Sequence, residues 1–228
     1  MSQPNPCLTG YSYSVYTRAV HMAFVAKDVA FDVVEADPFD PATRADLPHP
    51  FGRVPVLIHG SFQIYETQAI LDYVDHTWTT PEPTPEPTRA PKPALTPATA
   101  IARARMRQVM GIADAYVYAP LVRQVVSQAV FAPLDGHAPD QAIIAKGMQT
   151  APGTLAALEA IAAEGLVLRG DALSLADCLL WPMLDYFRTV PEGAQALGAF
   201  PHLSRWAAAL ATHPAAQTTA PDLKSITR

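Results

Sequence analysis

FGRVPVLIHGSFQIYETQAILDYVD, Phe51 to Asp75, decides the fold. Val54 to Ile58 and Phe62 to Ile64 are short β-rich runs, and His59-Gly60 between them fits a tight hairpin, because Gly takes positive φ freely. From Glu66 to His76 the apolar spacing changes to that of a helix, with Ile70, Tyr73 and Val74 on its core side. Proline inside a strand weakens a ladder, so Pro55 is expected in a cis Val54-Pro55 bond that turns the Val54 backbone toward a ligand. The Val54 peptide groups then suit pairing with an extended peptide. Glu66-Thr67 opens the helix, where backbone donors and the helix dipole favour an anion. Thr67 suits a carboxylate and Glu66 an ammonium, the two charges of an α-amino acid end. The same residue types also make an ordinary hairpin followed by a capped helix.

Upstream, Cys7 to Tyr11 reads as a strand and Val15 to Lys27 as a helix, with Val20, Ala23, Phe24 and Lys27 on one stripe and Thr17, Arg18 and His21 elsewhere. Phe31 to Ala36 is β-rich. Asp37 to Pro50 holds several prolines and reads as loop with at most one helical turn. The order βαβ, loop, ββα implies a right-handed parallel crossover in the first unit.

Downstream, TTPEPTPEPTRAPKPALTP, Thr79 to Pro97, lacks backbone donors and disfavours helix, so it reads as an extended, partly solvated spacer. The part that follows has no convincing strand. Pro97 to Ala129 is a long helical region that Pro120 should kink or divide. Gln141 to Glu164 is a second helix, with an interruption expected near Pro152-Gly153. Ser174 to Arg188 is a third and Pro201 to Thr212 a last one. Ser174 and Asp177 have capping-box spacing, a structural feature. The expected organisation is residues 1–78, an α/β domain; 79–97, the spacer; and 98–228, an all-α domain.

Composition narrows the classes. The chain has 228 residues, half of them hydrophobic, and a formal net charge of −5. No basic stripe suggests nucleic acid, and no apolar run reaches bilayer length. The start, MSQPNPCLTG, shows no secretory pattern, and a cytoplasmic protein is the expectation. The two cysteines, Cys7 and Cys178, read as free thiols, and no metal-ligand spacing is present.

VPVL, the hairpin and YETQAILDYVD resemble the glutathione-binding half of the glutathione transferase family, a resemblance that extends over nearly the whole chain. It implies a thioredoxin-like domain followed by a helical bundle, and an enzyme that adds the glutathione thiolate to a small hydrophobic electrophile. By that resemblance Val54 pairs with the cysteinyl backbone of glutathione beside cis Pro55. Glu66 and Thr67 hold its γ-glutamyl group, and Arg53 lies near the glycyl carboxylate. His49 stands where members often have Asn in an Asn-Pro pair. The resemblance also implies a homodimer, with Phe51 a possible anchor. A non-catalytic binding or regulatory protein of the same fold is the competing reading.

TGYSYSVYTRAV, Thr9 to Val20, carries the hydroxyls. One just before a helix is ordinarily an N-cap. It can also favour a thiolate over a thiol whose free pKa is about 8.5. Serine-type members have the catalytic serine four residues before an Arg. Ser14 stands so before Arg18, with Tyr11, Ser12, Tyr13 and Tyr16 as rivals. This implies a serine-type, theta-like bacterial cytosolic branch. Met106, Met110, Tyr116 and Tyr118 lie on the long helix that lines the family's second-substrate pocket. A plain core stripe explains the methionines equally well.

Overall fold

The structure, a computed structural model, describes residues 4–79, 92 and 94–223. It separates into two compact units, 1–96 and 97–228.

The first unit runs β1 (Cys7–Gly10), α1 (Val15–Ala26), β2 (Asp32–Glu35), α2 (Pro41–Asp46), β3 (Val56–His59), β4 (Phe62–Tyr65) and α3 (Thr67–Thr77). The sheet order is β2-β1-β3-β4. β1 and β2 are parallel, as the crossover requires, and β3 is antiparallel to both β1 and β4. This is the expected thioredoxin-like arrangement. Leu8 and Leu57, paired across β1 and β3, are buried on one face of the sheet and Val56 on the other, and Val20, Ala23, Phe24, Ile70, Leu71 and Val74 bury α1 and α3, which pack together.

Three local readings change. The hairpin loop is Gly60-Ser61, with Gly60 at φ 62°, because His59 still pairs with Phe62 as a ladder residue. Tyr73 is half-buried: Leu71 takes the core position, and the Tyr73 hydroxyl meets His59 Nδ1 at 2.9 Å. Thr17 and Arg18, expected away from the core, are buried because the first turn of α1 lies over the end of β1. Thr17 Oγ1 accepts the Tyr11 N–H at 3.2 Å. A Cβ on Gly10 would meet Thr17 Cγ2 at 2.2 Å, so the strand must be glycine there.

Lys27, the last residue of the expected stripe, is indeed inside, paired with Asp75 at 2.6 Å. Most of the expected spacer, residues 80–91 and 93, lies outside the described residues. Its described ends are fastened by hydrogen bonds. Leu95 and Thr96 donate their N–H groups to Asp75 at 2.7 and 2.9 Å, Lys27 Nζ reaches Thr79 Oγ1, and Lys92 Nζ donates to the Asp28 carbonyl at 2.6 Å.

All the regular structure among the second unit's described residues is helical. α4 (Ala100–Ile112) continues as a wide π-helical segment, Ala113–Phe131, that contains Pro120 and ends in the short α5 (Ala132–Leu134). The wide winding is seen where the Ala132 N–H donates to Ser127 O, five residues back. Pro120 brings no N–H, and Thr154 Oγ1 of the next long helix donates to the Tyr116 carbonyl at 3.2 Å. α6 (Gln141–Ala163) is continuous through Pro152, contrary to the expected interruption. An interior proline costs about 3 kcal/mol. Burying Leu155 and Leu158 offsets it at roughly 2 kcal/mol each. Gly147 lets α6 approach closely, since a Cβ there would sit 2.5 Å from Pro120 O.

α7 (Leu175–Phe187), α8 (Pro191–Gly198), α9 (Pro201–Thr212) and α10 (Pro214–Thr218) complete the unit. The capping box forms: Ser174 donates its N–H and hydroxyl to the Asp177 carboxylate, which also accepts from Trp206 Nε1 at 2.6 Å. Burial pushes the Asp177 carboxyl up, and these donors pull it back. Phe200 has no capping group for α9, so Glu159 of α6 takes the N–H groups of His202 and Leu203. Among the described residues no helix is long and apolar enough to cross a membrane, and no cluster of His, Cys, Asp or Glu suits a metal ion. Neither Cys7 nor Cys178 is in a disulfide.

Candidate functional site

The ladders bring the sequence candidates to one end of one sheet. Thr9 of β1 faces Val56 of β3, and Val56 faces Tyr65 of β4, so the three form a row across the sheet. Just past this row the chain runs into the Tyr11–Ser14 loop from β1, Val54-Pro55 from β3, and Glu66-Thr67 from β4. Gly10 faces Glu35, which brings the end of β2 to the same place.

The Val54-Pro55 bond is cis, as expected. The ladder begins at Val56, which leaves the half-buried Val54 outside it, and Arg53 is exposed. Glu66 was expected as the first helical residue; it is the N-cap, and its side chain makes no capping bond. Its φ of 70° is unusual for a side chain of this size. Such strain is retained where the surroundings dictate it, and often where a ligand is bound. The conformation leaves the carboxylate exposed, while Thr67, the first residue of α3, is buried. A carboxylate and the N-terminus of an 11-residue helix thus adjoin, a pairing suited to a zwitterionic amino acid.

Ser14 caps α1: its Oγ accepts the Thr17 N–H at 3.2 Å, and its own N–H donates to Tyr11 O at 2.8 Å. A hydroxyl has one donor and two acceptor sites, so this cap leaves the proton to be given to another group. Capping and thiol activation are compatible in one side chain. Ser12, a rival, is committed elsewhere: its N–H and hydroxyl both go to the Glu35 carboxylate, at 2.9 and 2.6 Å. Tyr11 is buried, edge-on to Tyr13 and Phe39, whereas Tyr13 and Tyr16 are half-buried.

His49 belongs to the same cluster. It is buried, its ring 4.8 Å from Tyr65, and its Nδ1 accepts the Phe51 N–H at 3.1 Å. Burial lowers its proton affinity, Glu66 raises it and Arg53 lowers it. Glu35 and this role of His49 are not predicted from the sequence. The one available signal for Glu35 is its place as the last residue of a strand parallel to β1. Met106 and Met110 are fully buried core residues, whereas Tyr116 is exposed and Tyr118 half-buried.

Comparison with known proteins bears on the fold and the family. The model of the glutathione S-transferase N-terminal domain matches residues 8–82, and that of the C-terminal domain residues 141–209. Glutathione S-transferase 3 of Zea mays is 30% identical over 217 residues, 92% of this chain and 91% of that protein. The solved structure of glutathione S-transferase III in apo form superposes with a TM-score of 0.80 at 26% identity, covering 99% of this chain and 100% of that one. A theta-class structure from Xanthomonas axonopodis pv. citri, with glutathione bound, superposes at a TM-score of 0.72 and covers 95% and 97% of the two chains. Its identity is 23%, so it shows the fold alone. The theta-like bacterial branch is not supported, because the curated relatives include plant enzymes of Arabidopsis thaliana and Zea mays at comparable or higher identity. With both domains matched and that relative aligned over nine-tenths of the chain, this protein belongs to the glutathione S-transferase family.

Proposed function

We propose that this glutathione transferase binds its co-substrate extended along Val54 beside Pro55, with the γ-glutamyl end at Glu66 and Thr67 and the glycyl carboxylate toward Arg53. The row Thr9–Val56–Tyr65 carries the reading, because it places all these groups beside the loop that ends in Ser14. Ser14 donates a hydrogen bond to the sulfur. The thiol proton leaves to solvent, and the thiolate held against the hydroxyl then forms a carbon–sulfur bond with the electrophile. That bond's electron pair comes from sulfur, and a leaving group or an acceptor atom on the substrate takes the displaced pair. Ser14 keeps its own proton. Retention on immobilised glutathione, followed by turnover of a panel of electrophiles, tests this reading. A chain that binds glutathione yet converts none of them, under conditions where a known transferase does, refutes the catalytic part.

The second unit supplies an apolar surface for the electrophile, and the working form is a cytoplasmic homodimer. A first unit this small buries little surface alone, and Phe51 stands 64% exposed. A two-fold interface would repeat each contact and typically bury more than about 2,000 Å². Sedimentation of active protein at a mass near 24.5 kDa would refute the dimer.

A further inference from the structure

His49 is the first residue of a tight turn: the Gly52 N–H donates to the His49 carbonyl at 2.9 Å, and inside that loop the Phe51 N–H donates to His49 Nδ1. A backbone N–H can only donate. The Nδ1 atom must therefore carry a lone pair, which fixes the ring as the neutral form with its proton on Nε2. The turn leads directly into Arg53 and Val54. It is braced from the sheet side, where Gln63 Nε2 donates to the Pro48 carbonyl at 2.8 Å and the Tyr65 ring packs on the imidazole. Gly52, at φ 59°, closes the turn against Arg44 of α2. Among the described residues the imidazole is thus the one side chain seen to hold the turn from within, and a second proton on the ring would convert its acceptor into a donor aimed at another donor.

We propose that His49 is a proton-operated positioning residue: neutral, it holds the 49–52 turn that presents Arg53 and Val54 to glutathione, and protonated, it releases that turn and weakens glutathione binding. The inference rests on the placement of glutathione along Val54. The charged and titratable groups facing the ring are Glu66 at the start of α3, Arg53 on the same loop and Tyr65 on β4. Burial, which dominates, moves protonation below the ordinary histidine value of about 6.5, and Arg53 acts in the same sense. Glu66 opposes them, and it would draw an imidazolium toward itself and away from Phe51. Glutathione's carboxyls ionise near about 3.5, and whatever its thiol, activated by Ser14, and its amine add to the pH dependence is common to wild type and to a variant at His49.

The decisive comparison is wild type against His49→Asn, because an Asn side-chain oxygen accepts the N–H two residues on and does not titrate. Glutathione affinity is measured by calorimetry at pH 7.5 and pH 5.5 on the full chain. Loss of one buried hydrogen bond sets the weakening at about five-fold for a fully protonated ring, and the part of it reached at pH 5.5 is an excess of wild type over His49→Asn. His49→Asn is expected to lack that excess, its profile following only the glutathione groups that both proteins share. His49→Ala is expected to be weak at both; if it fails to fold, the wild-type and Asn profiles still decide. Parallel profiles for wild type and His49→Asn overturn the proposal. Glu66→Ala is measured alongside. Unchanged affinity in that variant overturns the placement of glutathione itself, whereas weakened affinity with parallel His49 profiles overturns the role of His49 alone.

Discussion

Asp75 and Lys27 meet at 2.6 Å with side chains 3% and 0% exposed, and the same carboxylate fastens Leu95 and Thr96. Burial pushes the Asp75 carboxyl up, but the bonds from Lys27, Leu95 and Thr96 outweigh it and hold the carboxyl below the usual range. A carboxyl depressed in the folded state stabilises the protein above its unfolded pKa of about 4, and the contribution vanishes as pH falls through the folded value. Melting curves from pH 6 down to pH 2 should therefore fall more steeply for wild type than for Lys27→Met/Asp75→Leu. Asp75→Ala alone leaves a buried ammonium and should cost about 3–5 kcal/mol at neutral pH. A loss under about 1 kcal/mol would show that water reaches the pair.

Ser14→Ala removes a cap and a sulfur donor together. Stability should fall by about 1 kcal/mol. The thiol of bound glutathione should titrate higher and conjugation should slow, with glutathione affinity little changed. Ultraviolet titration of the bound thiolate reads this directly. If Tyr13→Phe raises the thiol pKa and Ser14→Ala does not, the tyrosine is the activating group.

Glu66 separates folding from binding. Glycine accepts φ near 70° without strain, so Glu66→Gly should relieve about 1 kcal/mol, set against a similar entropy cost in the unfolded chain. The melting temperature should stay within a few degrees, yet glutathione affinity should drop by roughly 1–3 kcal/mol through loss of the charged partner. Retained affinity would mean that the carboxylate does not touch the ligand.

In the second unit, Asp177→Asn should cost about 2–4 kcal/mol, because an amide cannot accept from both Ser174 and Trp206 as the carboxylate does. Trp206→Phe removes a donor and should cost less at this polar site, although its packing adds its own loss. Denaturant midpoints would rank the two variants, and a neutral Asp177→Asn would show that the carboxyl is already protonated.

The readable parts of the chain were those where a local rule and the tertiary structure agree. Pro55 beside Val54, the strands on either side of Gly60, the Ser174–Asp177 spacing and the span Pro201–Thr212 each follow from a few neighbouring residues. Even Lys27 fell on the buried stripe by period alone, although its partner Asp75 could not be named without the packing of α1 on α3. What escaped depended on pairs distant in sequence. Glu35 takes hold of Ser12 only because β2 lies beside β1. Thr17 is buried only because Gly10 makes room. The bond from Thr154 Oγ1 to the Tyr116 carbonyl joins residues 38 apart, which no local rule shows. The His49–Phe51 bond is local, yet a histidine before a proline carries no usual turn signature, unlike Asn or Asp.

The row Thr9–Val56–Tyr65 has a bearing on refolding. Strand alternation has a period of two, so a slip of one residue between β1 and β3 would reverse the faces of an entire strand. It would also carry Val54 one step out of line with Ser14 and Glu66, while every helix could still form. Helical circular dichroism would scarcely register such a trapped chain. The fraction of refolded molecules retained on glutathione would therefore count correctly aligned sheets, making the ligand a gauge of strand register as well as a co-substrate.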